Sequence, residues 1–216
     1  MMLKKNKGYM IVSSLVILIP MIVGLLLWEK LPETMATHFD TNGEANGWSS
    51  KPFAVFGIPL FIQACHWLCA VGTQFDPRHK NINEKMYRLI LFICPVISLI
   101  CAASLYPYAL GMDVNAMFIA ELFVGGVLIV VGNYLPKCRQ NYTVGIKLPW
   151  TIHDEENWNR THRMAGWLWM AGGLVILLNT FLGIGREWLP VVIFAIIVLV
   201  PVGYSFGYYL KHREDK

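Results

Sequence analysis

Charge is scarce in this chain. Only 15% of its 216 residues are Asp, Glu, Lys or Arg, against about a quarter in soluble domains. Hydrophobic residues make up 56%, and the mean hydropathy is +0.48. A soluble fold of this length has too little interior to hide so much apolar side chain, so the composition excludes a soluble domain in favour of a chain threaded through a bilayer. Metal-binding spacing is missing as well. Cys65, Cys69, Cys94, Cys101 and Cys138 form no CxxC pair and no Cys/His zinc pattern, and an odd number does not suit a disulfide framework. Four of them lie inside apolar runs and read as small packing residues. There is no HExxH or other catalytic spacing. The chain therefore points to no enzyme, no cofactor and no resident metal.

What is present is a series of six apolar segments, at residues 9–28, 53–74, 88–111, 115–135, 164–184 and 188–210. Each is close to the ~20 residues that cross a bilayer core. The expected fold class is an all-α integral membrane protein, a bundle of six transmembrane helices. Lys4, Lys5 and Lys7 precede the first run as in a secretory signal. That run ends in WEKLPE rather than at a small-residue cleavage site, so it reads as a retained span.

Orientation follows from the cations. Fifteen of the eighteen Lys and Arg residues fall before span 1, between spans 2 and 3 (Arg78, Lys80, Lys85, Arg88), between spans 4 and 5, or after span 6. The other loops hold Lys30, Lys51 and Arg186. Cations accumulate on the cytoplasmic side, so both termini are expected in the cytoplasm of a bacterial plasma membrane. Trp28, Trp48 and Trp188 then fall near the outer boundary, and Trp150, Trp158, Trp167, Tyr208 and Tyr209 near the inner one. Cys138 would be shielded from an impermeant thiol reagent. Gly203-x-x-x-Gly207 in span 6 is a candidate for close helix contact. Within a single membrane domain the chain divides into a two-span unit, 1–74, with an extracellular loop at 29–52. Spans 3 and 4 follow in 75–135, and a cytoplasmic connector with spans 5 and 6 in 136–216.

Two polar stretches and a few intramembrane groups carry what chemistry there is. The outer loop is rich in turn formers, Asn42-Gly43 and Asn46-Gly47 among them. His38, Asp40 and Glu44 have metal-ligand chemistry, but without a second histidine nearby a polar turn is the better reading. In the central stretch, 132–166, Pro136 stops span 4, Gly145 permits a turn, and Leu148 is extended because Pro149 follows. A helix is expected from Thr151, with Asp154 three residues on as in a capping box. Glu156 and Arg160 form an i,i+4 pair, and Glu155, Trp158 and His162 share one side. Inside the spans stand Gln63, His66, Glu121 and Asn179. A rise of ~1.5 Å per residue puts Glu121 about 9 Å and Asn179 about 7 Å from the outer ends of their spans. Glu121 is thus either the working carboxylate of a small proton-coupled transporter or membrane-embedded enzyme, or a protonated group bonded to Asn179 as helix glue. His66 reads as a neutral, bundle-facing histidine.

The two polar stretches also look familiar. Leu31-Pro32, His38-Phe39, Asn42-Gly43 and Trp48-Ser49-Ser50-Lys51 resemble the N-terminal domain of bacterial SdpI-like membrane proteins. Asn133-Tyr134, Pro136-Lys137, Asn141, Gly145-Ile146-Lys147, Pro149-Trp150-Thr151, Glu155, Trp158 and Thr161-His162-Arg163 resemble that family's C-terminal domain. Lys147, Leu148 and the lack of a proline shortly before His38 depart from the family pattern. The resemblance implies a six-span plasma-membrane protein that confers immunity to a secreted killing peptide. It also implies a receptor that holds a small winged-helix repressor at the membrane, without touching nucleic acid itself. Carried over, His38, Asn42, Gly43, Trp48 and Lys51 would face the toxin. Asn133, Lys137, Arg139, Asn141, Lys147, Trp150, Thr151, Glu155, Trp158, Thr161, His162 and Arg163 would dock or couple to the repressor.

Overall fold

A computed structural model describes residues 2–185 and 188–212; Arg186, Arg213 and Lys216 lie outside the described residues. Six helices are long and apolar enough to cross a membrane. They are α1 (Lys7–Leu26), α2 (Ile58–Gly72), α3 (Glu84–Ala109), α4 (Ala116–Tyr134), α5 (Glu155–Leu182) and α6 (Leu189–His212). A π-helical turn at Phe53–Gly57 extends α2 backwards, and a 3-10 turn at Leu135–Lys137 extends α4 forwards. Pro20, Pro95, Pro107 and Pro201 all sit inside helices, as lipid-embedded bundles tolerate. The protein is a multi-pass membrane protein, and the described chain forms two compact units. One is Met1–Phe75 with Glu84–Ala120; the other is Asp76–Asn83 with Glu121–Lys216.

In the first unit, α1 packs on α2 and α3, and polar groups within the spans are tied across helices. Ser13 Oγ lies 3.0 Å from His66 Nε2, Ser98 donates to the Ile17 carbonyl at 2.9 Å, and Tyr106 donates to that of Pro20 at 2.7 Å. At the polar end, Arg88 reaches Asn6 Oδ1 at 3.0 Å and covers the Tyr9 ring. The loop after α1 is an antiparallel hairpin, β1 (Thr34–Phe39) and β2 (Ala45–Ser50), with Ala36 opposite Trp48 and His38 opposite Gly47. Its root is clamped by a buried cluster of Leu31, Met35, Ala54, Val55 and Tyr106.

In the second unit, α4 and α5 approach at two glycine pairs. A Cβ on Gly125 would lie 2.9 Å from the Gly173 carbonyl, and one on Gly166 would lie 2.7 Å from the Gly132 carbonyl. The pairs are seven residues apart on each helix, two turns, so they define one seam where backbones touch. Gly203 and Gly207 have open space around them instead and make no such contact. On α5's other side Ile176 packs with Ile193 and Ile197 of α6 and with Leu128. A Gly166→Ala substitution forces α4 and α5 apart, and we expect it to lower stability in detergent by about 1–3 kcal/mol. Gly203→Ala is expected to change nothing; equal melting temperatures for the two variants would refute the seam.

Helix α5 begins at Glu155 rather than Thr151. Pro149–Ile152 forms a separate single turn, and Asp154 is the N-cap of α5, accepting from the Asn157 amide at 3.0 Å. The break is local: the Thr151 hydroxyl accepts from the Leu148 amide and donates to the Ile146 carbonyl. It closes the short turn and cannot start a longer helix. The far end of α5 is closed by Gly183 at φ 68°, with Asn179 accepting from the Gly183 amide and, through Oδ1, from the Ile184 amide at 3.1 Å. Asn179 is therefore a helix-terminating residue. It makes no described hydrogen bond to Glu121, whose buried Oε1 has no partner.

Candidate functional site

The two polar modules carry nearly all the sequence-predicted site residues. In the first unit the hairpin tip is a tight turn in which Asp40 Oδ1 accepts from the amides of Asn42 and Glu44, and Gly43 takes φ 84°. His38 Nδ1 pairs with Asn46 Oδ1 at 2.5 Å, so His38 and Asp40 are engaged in holding the hairpin. Among the described residues no three His, Cys, Asp or Glu side chains converge as metal ligands would. Trp48 is 57% exposed and Asn42 is exposed, as a recognition surface requires. Lys51 is different: it is buried, paired with Glu33 at 2.9 Å, bonded to the Trp28 carbonyl and set over the Trp28 ring. It fastens the hairpin root and is not available to a ligand. Beneath the hairpin lies a cavity of about 280 Å³, lined by Thr37, His38 and Asp40 and, below them, by Ile100, Leu105 and Met117.

In the second unit the connector is built around Trp158 and His162, one helical turn apart on α5 and fully buried. Their rings stack at 4.0 Å. The indole N–H donates to the Cys138 carbonyl at 2.7 Å. His162 Nδ1 lies 2.8 Å from the Trp158 carbonyl, which can only accept, so Nδ1 carries the proton. Nε2 then accepts from the Ile146 amide at 2.9 Å. Both ring nitrogens are committed, and the histidine locks the 136–148 loop onto α5. Gly145 makes this possible: at φ 112° it passes directly over the two rings, and a Cβ there would overlap His162 Nε2.

Around this pair the other polar residues are spent inward. Asn141 turns the loop by accepting from the amides of Thr143 and Val144 and donating to the Arg139 carbonyl. Asn157 donates to the Ser205 carbonyl and accepts from Thr161. The Trp150 indole donates to Ser205 Oγ at 2.9 Å. Asn141, Thr151, Trp158, Thr161 and His162 are thus internal, whereas Asn133, Lys137, Arg139, Lys147, Glu155 and Arg163 are exposed. Glu155 points away from the Trp158–His162 side. Glu156 and Arg160 form the expected ion pair, at 2.7 Å.

Sequence reasoning missed Asp76. It comes from the connector between α2 and α3, is only 4% exposed, and accepts from Thr143 Oγ1 (2.6 Å) and from the amides of Tyr142 (2.8 Å) and Arg78 (2.7 Å). Burial alone would raise its pKa, but these hydrogen bonds outweigh it and hold the carboxyl below its ordinary value. Arg78 and Asn81 add bonds to the carbonyls of Ile152 and Gln140. The only sequence signal was an Asp-Pro-Arg turn. Cys138 is also buried, and burial pushes its thiol up to about 11 despite the Asn141 hydrogen bond that lowers it. Its sulfur is inert to thiol reagents on either side of a membrane, so it cannot report sidedness.

These features define a class: a six-span helical membrane protein whose hairpin and connector are folded, hydrogen-bonded modules. Residues 137–205 match the SdpI/YfhL protein family, and residues 15–62 match a domain of unknown function, DUF1648. The chain belongs to the SdpI/YfhL family. It is 27% identical over 214 residues to the immunity protein SdpI of Bacillus subtilis (strain 168), covering 97% of this chain and 98% of that one. No solved structure matches it.

Proposed function

We propose that this protein protects its cell from a secreted peptide toxin, with the hairpin as the toxin-facing module and the connector as the signalling one. It acts without catalysis. The observation that carries this reading is the full-length likeness to an immunity protein, which runs through both modules. The distribution of cations favours a connector in the cytoplasm and a hairpin outside. Exposed Trp48, above the cavity, suits capture of an amphipathic peptide. Lys137, Arg139, Lys147 and Arg163 are the groups free to meet a winged-helix repressor, while the Trp158–His162 core sets their positions.

The test is challenge of a toxin-sensitive strain expressing the protein with the secreted peptides of its source and neighbouring strains. Survival is expected, and Trp48→Ala is expected to lose it at unchanged protein level. Sensitivity unaltered towards every peptide refutes the reading. Sidedness is read separately from exposed positions in a background lacking the native cysteines. Asn42→Cys should take up an impermeant maleimide on intact cells, and Lys147→Cys only after permeabilisation; the reverse pattern inverts the orientation.

The buried, unpartnered Glu121 Oε1 favours a second reading, a proton-coupled transporter. Loss of protection in Glu121→Gln, with Trp48→Ala and the connector variants unaffected, would select it.

A further inference from the structure

At the polar end of α6 the connector and the helix enclose a recess of about 570 Å³, lined by Pro149, Trp150, His153, Asp154, Phe206, Tyr209 and His212. Three aromatic rings form its wall. Trp150 lies 5.1 Å from Phe206 and 6.1 Å from Tyr209, nearly parallel to the latter. The wall is fixed in advance, because the Trp150 indole is held by Ser205. The polar groups in the recess are acceptors. Asp154 is a carboxylate with one oxygen on the Asn157 amide. His153 and His212 each direct Nδ1 at a carbonyl, of Pro149 (2.6 Å) and Tyr208 (2.9 Å). A carbonyl accepts only, so each Nδ1 is protonated and, in the neutral ring, Nε2 is left as an acceptor.

None of the seven lining residues is Lys or Arg, and ring faces attract cations. An anion finds no partner here, whereas a primary ammonium finds ring faces, a carboxylate and two imidazole acceptors. The position narrows the ligand further. The recess lies at the last turns of an apolar span, at the depth where aromatic residues border lipid headgroups. We propose that it binds the ammonium of a phospholipid headgroup, as in a phosphatidylethanolamine. The acyl chains would run along the exposed apolar face of α6, where Val198, Leu199 and Val200 are open to lipid. This assignment rests on neither the toxin nor the repressor reading.

Native mass spectrometry of the purified full chain, presented with equal amounts of POPE, POPG and POPC, tests it. The protein should retain one POPE with about ten-fold preference over the other two. Asp154→Asn keeps the helix cap, since Asn caps as well as Asp, and removes the charge; Phe206→Leu keeps the bulk and removes a ring. Each should reduce the preference to less than about two-fold with helicity unchanged. Equal retention of the three lipids by the wild type, or a preference surviving in both variants, overturns the proposal. Indifference to POPE together with binding of a lysine-containing peptide would assign the recess to a protein side chain and also overturn it.

Discussion

Gly145→Ala is expected to unfold the connector and abolish protection, although it adds one methyl group. Two costs act together. The backbone at φ 112° is strained for any residue with a Cβ, about 1–3 kcal/mol. The methyl would also overlap His162 Nε2 and lie 3.0 Å from Trp158 Cζ2. Those rings cannot retreat, because both are fully buried and every ring nitrogen is bonded. The loop must therefore lift, which breaks the Ile146–His162 hydrogen bond. We expect a loss of roughly 3–5 kcal/mol, read by denaturant unfolding in detergent with tryptophan fluorescence, since Trp158 becomes wet. A stability within about 0.5 kcal/mol of wild type would show that the turn does not pass over the ring pair.

Asp76→Ala should be nearly as damaging, through satisfaction of buried groups rather than shape. It leaves the Arg78 and Tyr142 amides and the Thr143 hydroxyl without their shared acceptor. Hydrogen bonds to a charged group are worth about 1.5–3 kcal/mol each. Because the three are coupled, the expected loss is about 3–4 kcal/mol rather than their sum. Asp76→Asn, which keeps one acceptor oxygen, should lose less. The effect carries a pH signature. The native carboxyl titrates below its ordinary value, so its stabilisation is fully present above the unfolded-state pKa of about 4 and fades as pH falls through the native one. The gap between wild type and Asp76→Ala should be constant near neutrality and close in acid. A gap that widened in acid would contradict the assignment.

Much of the connector was legible locally. Leu148 is extended because a proline follows, Gly145 turns, and the Glu156–Arg160 pair forms, all properties of near neighbours. Asp154 shows where local reading stops. The same residue can sit three positions inside a helix or cap the next one, and the Thr151 hydroxyl, by closing its own turn, decides. The outer loop displayed its turns but not its strands. Asn42-Gly43 marks a reversal, whereas the pairing of Ala36 with Trp48 depends on the register across it. Lys51 had the look of a surface cation until its partners, Glu33 and Trp28, were placed around it.

By itself, the sequence determined six membrane-crossing helices, the turns between them and family membership. Apolar run length, proline, glycine and motif spacing are properties of short stretches. Only the tertiary structure decided which polar side chains are spent holding the connector together and which remain free. Asp76 meets Tyr142 and Thr143, and Gly132 meets Gly166, through contacts that no local periodicity encodes. A hydrogen bond or a backbone approach belongs to two distant segments at once, and its meaning appears when both are in place.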